Sequence, residues 1–203
     1  MPSESLSVFT IGHSTHTPER FLSLLREAGV TALADVRTAP FSRHFTHFNK
    51  DALKETLRDA GIAYVFLGNE LGGRPRESDC YRNGVADYEK MALKDSFKKG
   101  LERVLEGAGK YRIAMMCSEQ DPLDCHRCLL VGRALAEKGI NVGHILADGS
   151  TITHRAVEEK LLALAGRESD DFFAPQRERL IMAYRERAMK VAFAEAEEEA
   201  RTA

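Results

Sequence analysis

The feature that most constrains this chain is a regular alternation of short apolar runs with amphipathic stretches, kept up from Val8 to Leu146. Val8-Phe9-Thr10-Ile11, Ala32-Leu33-Ala34-Asp35-Val36, Ala63-Tyr64-Val65-Phe66-Leu67, Arg112-Ile113-Ala114-Met115-Met116 and Val142-Gly143-His144-Ile145-Leu146 read as five buried strands. Between them the spacing predicts helices. Thr17 is placed to cap one, with Pro18 at its first position, a stripe of Phe21, Leu24, Leu25 and Ala28, and Gly29 at its end. Asn49 is placed to cap a second, carrying Leu53, Leu57 and Ala60 and closed by Gly61. Tyr88 to Leu93 suggests a short helix, Phe97, Leu101, Val104 and Leu105 a longer one, and Asp124 is placed to cap the helix that runs to Gly139. Strands and helices in this rhythm imply βαβ crossovers and a Rossmann-like α/β fold, with a mostly parallel sheet of about five strands flanked by helices.

Beyond Asp148 the rhythm changes. Residues 1–152 therefore read as the α/β domain and 153–203 as a C-terminal helical extension. Thr153 to Ala165 reads as a short helix, and Pro175 opens a long one with Ile181, Tyr184, Ala188 and Val191 on one stripe. That stripe either packs on the parent domain or pairs with a second copy as a homo-oligomer. Glu195, Glu197, Glu198 and Glu199 fall in its last turns. Each opposes the helix dipole by roughly 0.3–1 kcal/mol when exposed, so this end is expected to fray.

The bulk numbers exclude some functions. With 203 residues, 43% apolar and 30% charged, the chain suits one domain with an appendage. A net charge of −2 gives no global pull toward nucleic acid or an anionic surface. No apolar run approaches a membrane span, and the first residues lack the basic start and apolar stretch of a signal peptide, so a cytoplasmic protein without a membrane partner is expected. There its four cysteines would be reduced thiols, ligands or catalytic groups rather than structural disulfides.

Reactive side chains gather where the predicted strands end, which is where open parallel sheets bind ligands. Gly12, His13 and Ser14 follow the first strand, and Asp35 and Arg37 end the second. Cys117 and Glu119 follow the fourth, and Cys125, His126 and Arg127 open the next helix behind Asp124. Free amides and the positive end of the helix dipole meet at such a position and depress a thiol's pKa. The plainer reading is that Asp124 and His126 cap the helix while Cys117 and Cys125 pack in the core.

Three chemistries fit this set. In the first, Cys117 or Cys125 is a thiolate nucleophile, His13 or His126 shuttles a proton, and Arg37 or Arg127 holds an anion. In the second, Cys125-His126-Arg127-Cys128 is a redox C-x-x-C, although Cys128 shares a face with Val131 and Leu135 and fits the core better. In the third, Cys117, Cys125 and His126, with His13 as a further candidate, ligate a metal. The irregular spacing matches no paired-knuckle zinc pattern, so no metal site is assigned.

Two loops add binding candidates. Residues 40–50 interleave Phe41, Phe45 and Phe48 with Arg43, His44, His47 and Lys50, a pattern that suits stacked bases and phosphates; the alternative is phenylalanines folded over the core with cations in water. Leu71-Gly72-Gly73-Arg74 sets permissive glycines beside an arginine. The loop of residues 71–74 matches neither the phosphate loop nor the dinucleotide fingerprint, so no nucleotide cofactor is named.

Thr10-Ile11-Gly12-His13-Ser14, Asp35-Val36-Arg37, Pro40 with Ser42, His47-Phe48-Asn49-Lys50, Leu71-Gly72-Gly73, and Cys117-x-Glu119 with Pro122 and Cys125-His126-Arg127 together resemble the domain-of-unknown-function 488 family. The likeness runs from about Val8 to the His144-Ile145 strand, and can be followed to His154. It implies a Rossmann-like domain and a site built from these motifs, which adds Ser42, His47, Asn49, Gly72 and Gly73 to the substrate-binding candidates. It supplies no reaction, and Cys128 lies outside the pattern. The expectation is an enzyme that acts on a small anionic or nucleotide-like substrate by thiol-assisted hydrolysis or group transfer. Cys117, Glu119, Cys125 and His13 are its catalytic candidates. The alternatives are a non-catalytic nucleic-acid or nucleotide binding module, and a metal-binding or thiol-redox protein.

Overall fold

The computed structural model describes residues 6–168 and 175–195. Along the chain, β1 (Ser7–Gly12) leads to α1 (Pro18–Glu27), β2 (Ala32–Asp35) to α2 (Lys50–Asp59), and β3 (Ala63–Phe66) to the single turn α3 (Gly68–Leu71). A small hairpin, β4 (Tyr81–Arg82) and β5 (Val85–Ala86), precedes α4 (Tyr88–Ala92), α5 (Asp95–Ala108) and β6 (Ile113–Cys117). A π-helical stretch (Arg127–Gly132) then runs into α6 (Arg133–Glu137), followed by β7 (Asn141–Ile145), β8 (Thr151–Thr153), α7 (His154–Leu164) and α8 (Gln176–Val191).

The central sheet has the order β3-β2-β6-β1-β7-β8. Its first five strands are parallel, and β8 adds an antiparallel edge against β7. The protein is thus α/β with a six-stranded, mostly parallel sheet. The sixth strand went unread because Thr151-Ile152-Thr153 is too short to show an alternation. The β4-β5 hairpin, of two residues each side, escaped for the same reason.

Direction of travel fixes which helices cover which face. The chain steps one way from β1 to β2 to β3, then back from β3 to β6 and on to β7. Right-handed crossovers put the helices of the two runs on opposite faces. Accordingly Phe21, Leu24 and Leu25 of α1 and Leu53 and Leu57 of α2 pack with Ile11, Leu33, Ala114 and Met116. On the other face Phe97, Leu101 and Val104 of α5, Leu129 and Leu130, and Leu161 of α7 pack with Val8, Ala34, Met115 and Val142. Tyr184 is buried in that second layer, with Ala188 and Val191 packed against it, so the α8 stripe covers its own domain. Glu197, Glu198 and Glu199 lie outside the described residues.

The order has one consequence for function. β6 sits between β1 and β2, yet the chain leaves β6 toward the face opposite the one taken by α1 and α2. Crevices therefore open on both sides of the C-terminal end of β6, the usual binding place in such sheets.

Two predicted caps are replaced by other contacts. Thr17 does cap α1, its hydroxyl accepting from the Arg20 amide at 3.3 Å. Asn49 stands at the start of α2 but its carbonyl accepts from the Ser42 amide at 2.6 Å, tying the preceding loop together. Asp124 caps no helix. Pro122 starts a 3-10 turn (Pro122–Asp124) capped by Asp121, and the Asp124 carboxylate pairs with Arg187 of α8. Cys125 takes the capping position instead. Its backbone is extended, with φ −139° and ψ 139°, and its carbonyl accepts from the amides of Cys128 and Leu129 at 3.1 and 3.0 Å.

Candidate active site

At the end of β6 the chain meets a cavity of about 420 Å³. Cys117, Ser118, Glu119, Cys125 and His126 line it together with Arg37, Thr38, Gly73, Arg74, Tyr88 and residues 191–194. The volume suits a small molecule.

Two thiols and an imidazole form its floor. His126 Nε2–H donates to the Val36 carbonyl at 2.9 Å, which turns Nδ1 toward Cys117 Sγ at 3.7 Å and Cys125 Sγ at 3.8 Å. The Arg127 amide donates to Cys125 Sγ at 3.4 Å, and Glu119 Oε2 lies 2.8 Å from the same sulfur. Burial opposes a thiolate at Cys125. The hydrogen bond from Cys117, the Arg127 guanidinium and His126 nevertheless hold this thiol well below the ordinary thiol range. Burial, then the proximity of Cys125, push the Cys117 thiol well up. Burial and Cys125 likewise raise the Glu119 carboxyl. Burial alone would lower His126, but the charge of Cys125 at its Nδ1 raises it above the usual imidazole value. In this group of four residues the Cys125 thiol is thus shifted down while Cys117, Glu119 and His126 are shifted up, each by the balance of burial and its neighbours.

The expected arginine clamp is spent elsewhere. Arg37 Nε and Nη2 donate to the two Asp35 oxygens at 2.9 and 2.7 Å, and Nη2 also donates to the Phe48 carbonyl at 2.8 Å. Its Nη1 donates to His13 Nε2 at 3.3 Å. Arg127 is fully buried and its guanidinium donates to the carbonyls of Glu119 and Gln120, the latter at 2.9 Å. It braces the loop and lends its charge to Cys125 from behind. Arg74 lines the cavity and lies 4.7 Å over the Phe193 ring.

His13 is also set back from the cavity. Its Nδ1–H donates to the Ser14 carbonyl at 2.9 Å, its ring stacks on Phe48 at 4.3 Å, and burial lowers its pKa to about 4. Gly12 lets β1 approach the Glu119 carbonyl, which any Cβ there would overlap. Ser14 reaches Gln120 Oε1 at 3.2 Å with a positive φ of 46°. Ser42 accepts from the amides of His44 and Phe45 at 3.2 and 3.0 Å, and His47 Nε2–H donates to the His16 carbonyl at 3.1 Å. Ser42, His47 and Asn49 therefore shape their own loop and do not line the cavity. Phe48 is buried and unable to stack a base, while Phe41 is 69% exposed. Gly72 packs against Thr38, and Gly73 lies directly on the His126 ring. Cys128 is fully buried in the helix-covered layer, as its apolar face implied.

Gly73 gives the first testable consequence. A Cβ there would come within 2.8 Å of His126 Cγ and Nδ1. Gly73→Ala is expected to push the imidazole off both sulfurs and cost about 1–3 kcal/mol of overpacking strain. Alkylation of Cys125 should slow by about tenfold, since a charge-assisted hydrogen bond is worth roughly 1.5–3 kcal/mol. Rate and denaturant midpoint measured on the same sample check this; an unchanged alkylation rate would show that His126 does not activate the sulfur.

Tyr88 and residues 191–194 were not legible as site residues. Tyr88 follows the β4-β5 hairpin, and burial together with the charges of Cys125, Cys117 and Glu119 raises its phenol far above its usual value. It therefore stays a hydrogen-bond donor. The 191–194 segment is fixed by the Ala86 amide donating to the Phe193 carbonyl at 2.9 Å and by a bridge between Val85 and Ala194. The only local signal for Tyr88 was Asp87, which caps α4.

A family model described as a domain of unknown function, DUF488, matches residues 17–134, more than half of the chain. The span takes in Asp35, Arg37, Cys117, Glu119, Cys125, His126 and Arg127, is narrower than the motifs suggested, and stops before His144 and His154. No curated protein and no solved structure matches the chain.

Proposed function

Because the chain belongs to the DUF488 family, whose description names no reaction, we propose a function from the site itself: a thiol-dependent enzyme that hydrolyses or transfers a group of a small anionic or nucleotide-like substrate. The observation that carries this reading is Cys125, a capping thiol held well below the ordinary thiol range beside His126, Cys117 and Glu119 at the floor of a cavity.

Each neighbour then has a part. Cys125 Sγ attacks the electrophilic centre. Glu119, its carboxyl raised and 2.8 Å from that sulfur, gives a proton to the leaving group and takes one from the second nucleophile. His126, its pKa raised by Cys125, is the thiolate's partner. Tyr88 offers a neutral phenol to developing negative charge. Arg74 is the cation placed to meet an anionic substrate, while Arg37 and His13 position the floor from behind. Cytoplasmic operation accords with four unpaired thiols.

Alkylation of each cysteine against pH tests this. Cys125 is expected to react first, at a rate already on its plateau at pH 7 and falling only as pH drops through its lowered pKa. Cys80, raised chiefly by burial, should gain reactivity only in alkaline solution. A Cys125 rate that keeps climbing past pH 9 would remove the thiolate.

A second reading rests on one observation: donor atoms of Cys117, Cys125 and His126 lie within 4.8 Å of one another. With the outer His126 nitrogen held by a carbonyl, they could ligate a metal with an open position toward the cavity. A ligated Cys125 would alkylate only after chelation. Equal rates with and without chelator reject the metal there.

A further inference from the structure

The core holds a second group of ligand-type side chains that the cavity chemistry does not use. Cys128 comes from the π-helical stretch, His144 from β7 and His154 from the start of α7. All three are buried, and one donor atom of each lies within 4.8 Å of the others. We propose that Cys128, His144 and His154 bind one d10 metal ion, the soft Cu(I) or the borderline Zn(II), between the sheet and α7.

The spacing is close to that of a ligand set. His144 Nε2 faces His154 Nδ1 at 3.0 Å. Two imidazole nitrogens each about 2.0–2.1 Å from one tetrahedral ion stand about 3.3 Å apart, so the two rings need part by only a few tenths of an ångström to share the metal. The outer nitrogens are already anchored. His144 Nδ1 is 2.8 Å from Thr10 Oγ1, and His154 Nε2 is 2.9 Å from the Tyr184 hydroxyl, which donates to Glu158 at 3.1 Å. Each ring therefore has an oxygen to take its outward proton, leaving an inward lone pair. Metal-binding histidines are oriented in this way.

Ligand count and charge narrow the ion. No fourth histidine, cysteine or carboxylate joins the trio among the described residues. One thiolate with two imidazoles selects soft and borderline ions over hard ones. A thiolate with a monovalent ion is neutral, which matters because a buried net charge is costly. A divalent ion leaves one positive charge, with Glu158 two hydrogen bonds away through Tyr184.

The site is independent of the reaction at Cys125, so its test removes the cavity thiols. The full chain carrying Cys117→Ser and Cys125→Ser is produced in cells grown with added zinc or copper and purified without chelator. About one equivalent of one metal is expected, with an X-ray absorption first shell of one sulfur and two nitrogens. Adding Cys128→Ala should lower the metal content by about tenfold or more. Absence of metal from both preparations, or a shell without sulfur, overturns the proposal. If the double variant does not fold, the unaltered chain is measured: one sulfur with two nitrogens supports the site, and two sulfurs with one nitrogen places the metal at Cys117 and Cys125 and overturns it.

Discussion

Cys125→Ser is expected to abolish fast alkylation at neutral pH and to lower turnover by about 10⁴-fold or more, as loss of a nucleophile does. The fold should survive, because serine nearly matches cysteine in shape and its hydroxyl can still accept from the Arg127 amide. The neighbours separate the roles further. Cys117→Ala removes a thiol donor whose own pKa is raised, so Cys125 should keep its place but lose about 10–100-fold in reactivity, the worth of one charge-assisted hydrogen bond, while Cys117→Ser, which keeps a donor, should lose less. Glu119→Gln should leave a donor beside the sulfur. Alkylation at pH 7 would then persist, while turnover falls by about 10²–10⁴-fold for want of a proton donor and acceptor. A Glu119→Gln protein that keeps full turnover would leave the carboxylate no part in the reaction.

Asp35→Ala is expected to cost about 3–5 kcal/mol of stability, the price of leaving a buried charge unpaired. Asp35 is fully buried and holds Arg37 through both oxygens, with Tyr64 donating to Oδ2 at 2.9 Å. Removing it strands the Arg37 guanidinium, and Arg37 in turn fixes His13 and the Phe48 carbonyl. Asp35→Asn should cost less, since one oxygen acceptor remains. Because the pair is shielded from solvent, added salt should change little. Denaturant midpoints for both variants at low and high salt check this. A loss below about 1 kcal/mol for Asp35→Ala would mean that water or a neighbour replaces the carboxylate.

Much of the architecture follows from local pattern. The five parallel strands, α1, α2 and α5, the Thr17 cap and the apolar setting of Cys128 all express a short continuous apolar run, a period of 3.6 residues, or one side chain reaching its own helix. The polar groups crowded at the strand ends also come together, since Cys117, Glu119, Cys125 and His126 line one cavity. Residue type alone did not show which partner each charged group takes. Arg37 and Arg127 looked like anion ligands, yet one meets Asp35 and the other two loop carbonyls, and neither partner is encoded in the arginine. Asp124 looked like a cap until Arg187, from α8, took its carboxylate.

The sequence by itself determined the longer elements and the inventory of reactive groups, because hydrophobic patterning and capping act over a few residues. Only the tertiary structure decided that β6 enters between β1 and β2. That order sets Cys117 beside the ends of both strands, brings Tyr88 and residues 191–194 over the thiols, and seats His144 and His154 together behind Cys128. These contacts join segments tens of residues apart, and they arise from crossover handedness and the burial of two apolar layers, which no single stretch of the chain specifies.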